Sequence, residues 1–472
     1  SRKPDMRAYL IQTYQSVLAS YWFVPTIMAI LAAILALVLI QIDNWLPRTF
    51  VGDNPFFYAT QPDGARSILN AIGGSMIGVA GTVFSVTMAT VVFASGTYGP
   101  RLLTNFMNDR GNQVTLGTFV ATFVYSILVL RTVRDGGDEA FGAMFVPNLA
   151  IYGAILLAIC SIGILIYFIH HVPSNIHISN VIAGIGHNLI VRIEREFPEL
   201  SDEDEAREAR DWQVPGCFRT EDLDRTPGDA AYSSIHAEKD GYIQIIDKET
   251  LVEAAAKSEV VVRAACRPGV FVHSGRVIFD AWPAERVSEE TRAALLSSVA
   301  VGTSRSPRQD LNFLFDELVE IAGRALSPGV NDPYTAITAM DWLKSAMASL
   351  ASRRTDDPYW CDGEDKLRVL TVTAGFDEYL EIAFGHLRQY ASADTIAGEH
   401  FVNCLIEIVP ACMRDDQRYA IRDQMEAFVG LARENLSGRS LQTVEQAASR
   451  LDRCLIDPEA CIPRCRVDIR RA

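Results

Sequence analysis

The sequence predicts an α-helical membrane domain of four spans, followed by a cytoplasmic α+β domain with a small β-barrel-like module and a helical C-terminal part. Two observations support this fold class. Four runs contain no Asp, Glu, Lys or Arg: 8–42, 67–100, 111–130 and 140–191. Charge is also divided unevenly, because residues 1–171 hold nine basic and eight acidic side chains while the rest of the chain holds 34 and 50. A nearly uncharged part is therefore joined to an acidic, soluble part.

The charge-free runs are long enough to cross a bilayer, because a hydrocarbon core of about 30 Å requires roughly 20 apolar residues in a helix. A signal peptide explains at most one of them, so the chain is predicted to cross the lipid bilayer several times. We place the membrane domain at 1–171, with spans at about 21–41, 72–94, 114–130 and 149–169.

The basic residues of the loops indicate the orientation. Four spans place both termini on the same side of the membrane. Five cations lie before the first span or between the second and third, against four in the other two loops: Arg2, Lys3, Arg7, Arg101 and Arg110 against Arg48, Arg66, Arg131 and Arg134. The positive-inside rule therefore favours cytoplasmic termini and a cytoplasmic acidic domain.

Composition argues against several classes of function. The net charge of −15 disfavours nucleic-acid binding, which requires clustered positive charge. The nine cysteines are odd in number and include no Cys-x-x-Cys pair, which favours a reduced setting over a disulfide framework. Cys454, Cys461 and Cys465 lack the spacing and the histidine of a usual zinc site, so we expect no metal and no cofactor.

The second span differs from the first in its glycine and hydroxyl content. Gly74, Gly78, Gly81 and Ser85 are spaced by 4, 3 and 4 residues and share one helix face, with Thr82 beside them. Helices in lipid associate through close approach over small residues and through hydroxyl hydrogen bonds. Two explanations remain open, namely helix packing alone and a path for an ion or small solute. No charged residue in the span identifies a selectivity ring.

Half of the histidines follow the fourth span closely. They are His170, His171, His177 and His187. Such residues either mark the polar end of a span or respond to pH at the interface. The sequence leaves both alternatives open.

The soluble part begins with a predicted helical connector at 172–232, which includes the charged stretch 199–211. Residues 233–285 change to a strand period, with "GYIQIID", "VVVRAA" and "RVIFDAW" around the turn "RPGVFVHSG". This pattern resembles a barrel-sandwich module of the lipoyl or biotinyl kind. No lysine occupies the turn at which such modules are modified, so we expect a structural or interaction module.

Residues 286–472 are predicted to be mainly helical. Leu311, Leu314 and Leu318 belong to an amphipathic helix whose flanks carry Asp310 and Glu317. Paired carboxylates either perform acid–base chemistry, bind a cation or form an ordinary solvated face.

The stretch "RALSPGVNDPYTA" (324–336) follows that helix. Ser327, Pro328 and Gly329 are expected to end it, and Asn331 then precedes the start of the next one. Asp332 is the predicted N-cap and Pro333 the first helical residue. The stretch contains no strong nucleophile, so it predicts a helix–helix corner or a ligand or subunit contact rather than a catalytic loop.

These residues resemble a known family. Arg305, Gln309 and Asp310, followed by "RALSPGVNDPYTA", are similar to the signature of the bacterial predicted membrane proteins called domain of unknown function 2254. Ser304 stands where we expect Glu before the arginine. The resemblance implies a four-span bacterial inner-membrane protein with a cytoplasmic region, and it implies no activity.

Two functions from different classes follow. The first is a homo-oligomeric channel or transport-like protein, in which the second span lies at the pore or subunit interface and the acidic domain acts as vestibule or gate. The alternative is a membrane-anchored scaffold or sensor that recruits cytoplasmic partners and transports nothing. The common nucleotide-binding and hydrolase motifs are absent. An enzyme at Asp310 and Glu317 is therefore only the third hypothesis.

Overall fold

The structure is a computed structural model, which describes residues 22–45, 61–98, 109–135, 144–199, 212, 214–219, 232–354 and 358–457. The chain divides into two compact units. We call Tyr14–Asn180 the membrane unit and Val181–Ala472 the α+β unit.

Among the described residues of the membrane unit, four helices are long and apolar enough to cross a membrane. They are α1 (Phe23–Trp45), α2 (Pro62–Tyr98), α3 (Arg110–Leu130) and α4 (Asn148–Ile176). Helix α2 begins ten residues before the predicted span because its first turns, with Asp63 and Arg66, are helical although they are charged. Helix α3 is the most buried of the four and packs against the other three.

Polar groups join the helix ends at one end of the membrane unit. The Asp43 carboxylate, near the end of α1, accepts hydrogen bonds from the backbone N–H groups of Leu149 (3.0 Å) and Ala150 (2.9 Å). These N–H groups lie in the first turn of α4, where no intrahelical acceptor exists and the helix dipole favours an anion. Arg66 of α2 pairs with Asp135, just beyond α3. Four helix ends therefore meet at this end of the unit.

The α+β unit contains the remaining described helices and strands. Its helices are α5 (Ile178–Glu196), α6 (Gly216–Arg219), α7 (Lys248–Lys257), α8 (Glu289–Ser297), α9 (Leu311–Ala325), α10 (Pro333–Ala351), α11 (Phe376–Ala383), α12 (Arg388–Ala391), α13 (Thr395–Ile408), α14 (Asp415–Asn435), α15 (Gly438–Ala448) and α16 (Leu451–Ile456). Its strands are β1 (Ser233–His236), β2 (Gly241–Ile246), β3 (Val261–Ala264), β4 (Phe271–Val272), β5 (Val277–Trp282), β6 (Val299–Gly302), β7 (Tyr359–Cys361) and β8 (Leu367–Leu370).

The expectation of a β-barrel-like module is wrong, because the described strands form two open sheets. One sheet has the order β1-β5-β3-β8-β7, and the other has the order β4-β2-β6. Strand β3 pairs in parallel with β8, which lies about a hundred residues later in the chain, while all other pairs are antiparallel. Strand β2 pairs with β4 and β6 instead of closing onto the first sheet, so neither sheet is closed within the described part of the chain.

Two apolar interiors stabilise the α+β unit. The sheets and helices α7 and α8 enclose one of them, in which Leu251, Val262, Phe279 and Val369 are fully buried. Among the later helices the rings of Phe401 and Phe428 stack at 4.2 Å between centroids. Buried and half-buried positions alternate in β8, and the helical period of α9 follows the predicted pattern.

Helix α5 lies in the predicted connector and packs on the α+β unit. Its buried residues recur at helical spacing: Ile182, Ile185, Leu189 and Ile193. Arg192 donates hydrogen bonds to Glu196 and to the carbonyls of Pro307 and Arg308. Most of the charged stretch 199–211 lies outside the described residues.

Six of the described cysteines are free thiols: Cys160, Cys217, Cys266, Cys361, Cys404 and Cys412. Cys454 is disulfide-bonded, so the reduced state expected from the sequence does not extend to that position. Cys461 and Cys465 lie outside the described residues.

Candidate functional site

The second span presents an open polar face, which we call the glycine–hydroxyl face: Gly74, Gly78, Gly81, Thr82 and Ser85. All five residues are exposed within the membrane unit. A Cβ atom built on any of the three glycines meets no atom within 4 Å among the described residues. The spacing read from the sequence therefore identifies one real helix face, and that face is left uncovered by α1, α3 and α4.

The hydroxyl groups on this face bond to their own helix. Thr82 Oγ1 donates to the Gly78 carbonyl at 3.1 Å, and Ser85 Oγ donates to the Gly81 carbonyl at 2.8 Å. Each hydroxyl proton is thus used within the helix, and the lone pairs of both oxygen atoms can still accept a hydrogen bond. Such a face accepts hydrogen bonds and carries no formal charge.

The opposite face of α2 holds the helix in the unit. Met76, Ala80 and Val83 are buried there and pack against Phe119 of α3 and Phe168 of α4. Gly73, the neighbour of Gly74 in sequence, belongs to this inner face, where a Cβ would contact Ser126 at 3.6 Å. The glycines of the span consequently serve two different faces, which composition alone does not distinguish.

Helix α3 carries a second row of hydroxyl groups, which the sequence analysis missed. Thr115, Thr118, Thr122 and Ser126 are all buried, and Thr122 Oγ1 lies 3.1 Å from Ser161 Oγ of α4. The signal was present in the spacing of 3, 4 and 4 residues, which places these side chains on one helix face. This row packs inside the unit, in contrast to the glycine–hydroxyl face.

One of the four clustered histidines has a defined acidic partner. His171 Nε2 lies 2.9 Å from Asp109 Oδ2, and its Nδ1 lies 3.1 Å from the Tyr167 hydroxyl. Asp109 is also the N-cap of α3, where its Oδ1 accepts from the Gly111 N–H. This pair ties the start of α3 to the end of the apolar part of α4.

The corner between α9 and α10 has the predicted construction. Ser327 Oγ donates to the Arg324 carbonyl at the end of α9, and the Ser327 carbonyl accepts from the Asn331 N–H at 2.9 Å. Asn331 adopts a left-handed backbone with φ of 49°. Asp332 Oδ1 then accepts from the Thr335 N–H at 3.2 Å, with Pro333 as the first helical residue of α10.

The outer surface of this corner is apolar as well as exposed. Val330 is 56% exposed and Tyr334 is 69% exposed, and Pro328 and Gly329 lie beside them at the surface. The backbone hydrogen bonds of the corner are satisfied internally, so these side chains are not required to hold the turn.

Two of the other motif residues, Arg305 and Asp310, belong to an ion cluster in which Asp310 is buried. The Arg305 guanidinium donates to Asp310 Oδ2 at 2.7 Å and to Asp316 Oδ2 at 2.6 Å, and it lies over the Phe313 ring. Asp310 is 4% exposed, and burial raises the pKa of its carboxyl although Arg305 opposes the shift. The solvated-face alternative is therefore wrong for Asp310 and for Glu317, which is 2% exposed.

Gln309 connects this cluster to a sheet. Its Oε1 accepts from the Ile246 N–H at 2.8 Å and its Nε2 donates to the Ile246 carbonyl at 3.3 Å. The side-chain amide thus pairs with the end of β2 as a neighbouring strand does. Arg305, Gln309 and Asp310 lie together before the first turn of α9, whereas the 327–333 corner follows the last turn of that helix.

The described residues also bring together one set of potential metal ligands that the sequence analysis did not name. Asp341 of α10 and His400 and Cys404 of α13 place their ligand atoms within 4.8 Å of one another. The only sequence signal was His-x-x-x-Cys at one helical turn, which is weak by itself.

Comparison with known proteins gives a family without an assigned activity. A sequence model of the family described as "Predicted membrane protein (DUF2254)" matches residues 19–407. An uncharacterized protein of Mycobacterium bovis and one of Mycobacterium tuberculosis are each 30% identical over 393 residues, which cover 82% of this chain and 72% of theirs. No solved structure matches the chain significantly.

Proposed function

Because the chain belongs to the family of predicted membrane proteins called domain of unknown function 2254, we propose that it is a homo-oligomeric channel or transport-like protein of the bacterial inner membrane. In this proposal both termini and the α+β unit lie in the cytoplasm, where the acidic unit acts as vestibule or gate. The glycine–hydroxyl faces of several copies meet around a path for an ion or small solute.

The open glycine–hydroxyl face is the observation that carries the proposal. A face of three glycines exposes backbone carbonyls and hydroxyl oxygens, which are poor neighbours for acyl chains and good ones for another helix at close range. The same helix is bound firmly to its own unit on the opposite side, through Met76, Ala80 and Val83. The open face is therefore free to meet other copies without unpacking the monomer.

A neutral polar face favours the passage of an ion or small solute over its tight binding. Oxygen atoms from carbonyl and hydroxyl groups replace part of the water around a permeating species, and no charge on the face holds that species too strongly. The described residues of α2 beyond position 66 carry no Asp, Glu, Lys or Arg, so selectivity depends on the arrangement of oxygen atoms rather than on a charged ring.

The test is ion flux in liposomes that contain the purified full-length protein. Entry of K⁺ and of Cl⁻ is followed with encapsulated indicators, and oligomeric state is measured by cross-linking in the same liposomes. Gly78→Leu fills the open face and is expected to reduce flux at least tenfold and to weaken cross-linking, with the monomer fold unchanged because a Cβ there meets no atom within 4 Å.

Gly163→Leu is the matched control. Gly163 lies on α4, is exposed, and likewise has no described atom within 4 Å of a Cβ, but its neighbours Ile162 and Ile166 are apolar and exposed. We expect wild-type flux from this variant. Absence of K⁺ and Cl⁻ flux from the wild type, or equal loss of flux in both variants, would overturn the proposal.

A second function, the membrane-anchored scaffold, is favoured by the exposed corner. Val330 and Tyr334 place apolar surface on a rigid turn, which is typical of a contact for a protein partner. In this case Tyr334→Ser abolishes capture of a cytoplasmic partner and Gly78→Leu leaves it intact. If the protein is a channel, Gly78→Leu reduces flux and Tyr334→Ser leaves flux unchanged. The two variants therefore distinguish the two functions.

A further inference from the structure

A compact set of metal-binding side chains lies between α10 and α13. Asp341 and Lys344 are one turn apart on α10, and His400, Cys404 and Glu407 recur at one-turn intervals on α13. His400 Nε2 lies 3.0 Å from Asp341 Oδ1, and the Cys404 thiol faces the Met340 carbonyl at 3.9 Å. Two regular helices therefore present a carboxylate, an imidazole and a thiol to one another.

We propose that Asp341, His400 and Cys404 form a binding site for a transition-metal dication of the zinc class. This site lies apart from the glycine–hydroxyl face, and the proposal goes beyond channel function. Mixed oxygen, nitrogen and sulfur ligands suit zinc and disfavour Mg²⁺ and Ca²⁺, which bind oxygen almost exclusively.

The distances between the ligand atoms lie close to those around a tetrahedral ion. Zinc lies about 2.0 Å from oxygen and nitrogen ligands and about 2.3 Å from sulfur, so ligand atoms in a tetrahedron are roughly 3.3–3.6 Å apart. The three ligand atoms already lie within 4.8 Å of one another. In the site that we propose, His400 Nε2 and Asp341 Oδ1 move slightly apart from their 3.0 Å separation and the thiol moves towards them by side-chain rotation.

The three ligands differ in exposure, so an ion can reach them from the solvent side. Cys404 is 1% exposed and forms the floor, while the side chains of His400 and Asp341 are 25% and 45% exposed. Three protein ligands leave the fourth position of a tetrahedral ion open on the solvent side. Water occupies that position in the site that we propose.

The ammonium of Lys344 contacts the same Asp341 carboxylate that would bind the ion. Its ammonium lies 3.0 Å from Asp341 Oδ1 and 2.8 Å from Glu407 Oε2. Burial lowers the pKa of Lys344, but its hydrogen bonds to Glu407 and Asp341 outweigh burial and raise the pKa above its usual range. When Asp341 binds a dication, the Lys344 ammonium stays paired with Glu407. Metal binding therefore leaves neither carboxylate without a partner.

Coordination also changes the thiol. Burial raises the pKa of the Cys404 thiol. The sulfur binds as thiolate, and one proton passes to solvent for each ion bound. The alternative to a metal site is an ion-pair network of Asp341, Lys344, His400 and Glu407. That network does not use the Cys404 sulfur, so a test of the sulfur distinguishes it from a metal site.

The experiment is titration of the purified, detergent-solubilised full-length protein with Co²⁺, followed by displacement with Zn²⁺. We expect one thiolate-to-cobalt charge-transfer band that Zn²⁺ removes. Cys404→Ser abolishes this band, and His400→Gln and Asp341→Asn weaken Co²⁺ binding at least about 100-fold, because losing a ligand costs more than losing an outer hydrogen bond. The last two positions are partly exposed, so these variants remain available if Cys404→Ser fails to fold.

Cys412→Ser is the matched control. Cys412 is likewise a buried free thiol, and burial raises the pKa of Cys412 to about 12, but it lies outside the cluster. This variant keeps the cobalt band. Lys344→Met removes the competing ammonium, and we expect Co²⁺ to bind about tenfold more tightly. No thiolate band in the wild type, a band that survives Cys404→Ser, or unchanged or weaker binding by Lys344→Met would overturn the proposal.

Discussion

The guanidinium of Arg305 donates a hydrogen bond of 2.7 Å to Oδ2 of Asp310, a carboxylate that is 4% exposed. Gly269, in the turn before β4, lies against the same carboxylate, and a Cβ there would overlap it. The backbone φ of 91° at Gly269 also requires glycine. The Arg305–Asp310 pair therefore holds together a turn, the segment before α9 and the helix itself.

Removing the cation of this pair is expected to destabilise the α+β unit. Arg305→Met leaves Asp310 buried without its partner, and breaking a buried ion pair costs about 3–5 kcal/mol. The shift in urea midpoint of the detergent-solubilised protein measures the loss. Arg433→Met is the control, because its exposed pair with Glu445 contributes at most about 1 kcal/mol. Equal losses in the two variants would contradict the buried role of Arg305.

The same variant is expected to show an altered pH dependence. Burial raises the pKa of Asp310 above 3.8, so the stability from its protonation is present below that pH and is lost as pH rises through the folded-state pKa. Without Arg305 the folded-state pKa rises further. The deficit of Arg305→Met is then largest near pH 7 and shrinks towards pH 5. Adding Asp310→Asn removes this dependence, as urea midpoints across that range will show.

Two glycines of α5 are expected to respond in opposite directions to alanine. A Cβ on Gly186 would overlap the indole ring of Trp342, whereas a Cβ on Gly184 meets no described atom within 4 Å. Gly186→Ala should cost about 1–3 kcal/mol through overpacking. Gly184→Ala should stabilise by about 0.5–1 kcal/mol through helix propensity. Thermal unfolding measures both, and a gain from Gly186→Ala would contradict the packing described.

The N-cap of α10 provides a test of the 327–333 corner. Asp332→Ala removes the acceptor for the Thr335 N–H and should cost about 0.5–2 kcal/mol. Asp332→Asn keeps a side-chain oxygen and is expected to lose much less. If both variants show the same urea midpoint as the wild type, the cap does not stabilise the corner.

Much of the local structure could be read from the sequence. The four apolar helices follow from charge-free runs, and the cap at Asp332 with Pro333 after it follows from local backbone chemistry. The spacing of Gly74, Gly78 and Gly81 also fixed their common face, because 3.6 residues per turn is a property of any α-helix. The family resemblance was confirmed by the match over residues 19–407.

The strand pairing could not be read in the same way. The expected barrel assumed that neighbouring strands close on one another, but β3 pairs with β8, about a hundred residues away. Pairing of distant segments depends on the packing of the whole unit and leaves little trace in local composition. The burial of Asp310 and Glu317 was missed for the same reason, since an acidic helix flank has the same sequence pattern whether water or protein covers it.

The sequence by itself determined where the chain is apolar, where the cap of α10 lies, and which residues share a helix face. Only the tertiary structure decided which of those faces are covered. It buried Gly73 against Ser126 and left Gly78 open, and it brought His400 to Asp341 across 59 positions of the chain. Periodicity is a local property of one helix, whereas contact between two helices depends on how both pack.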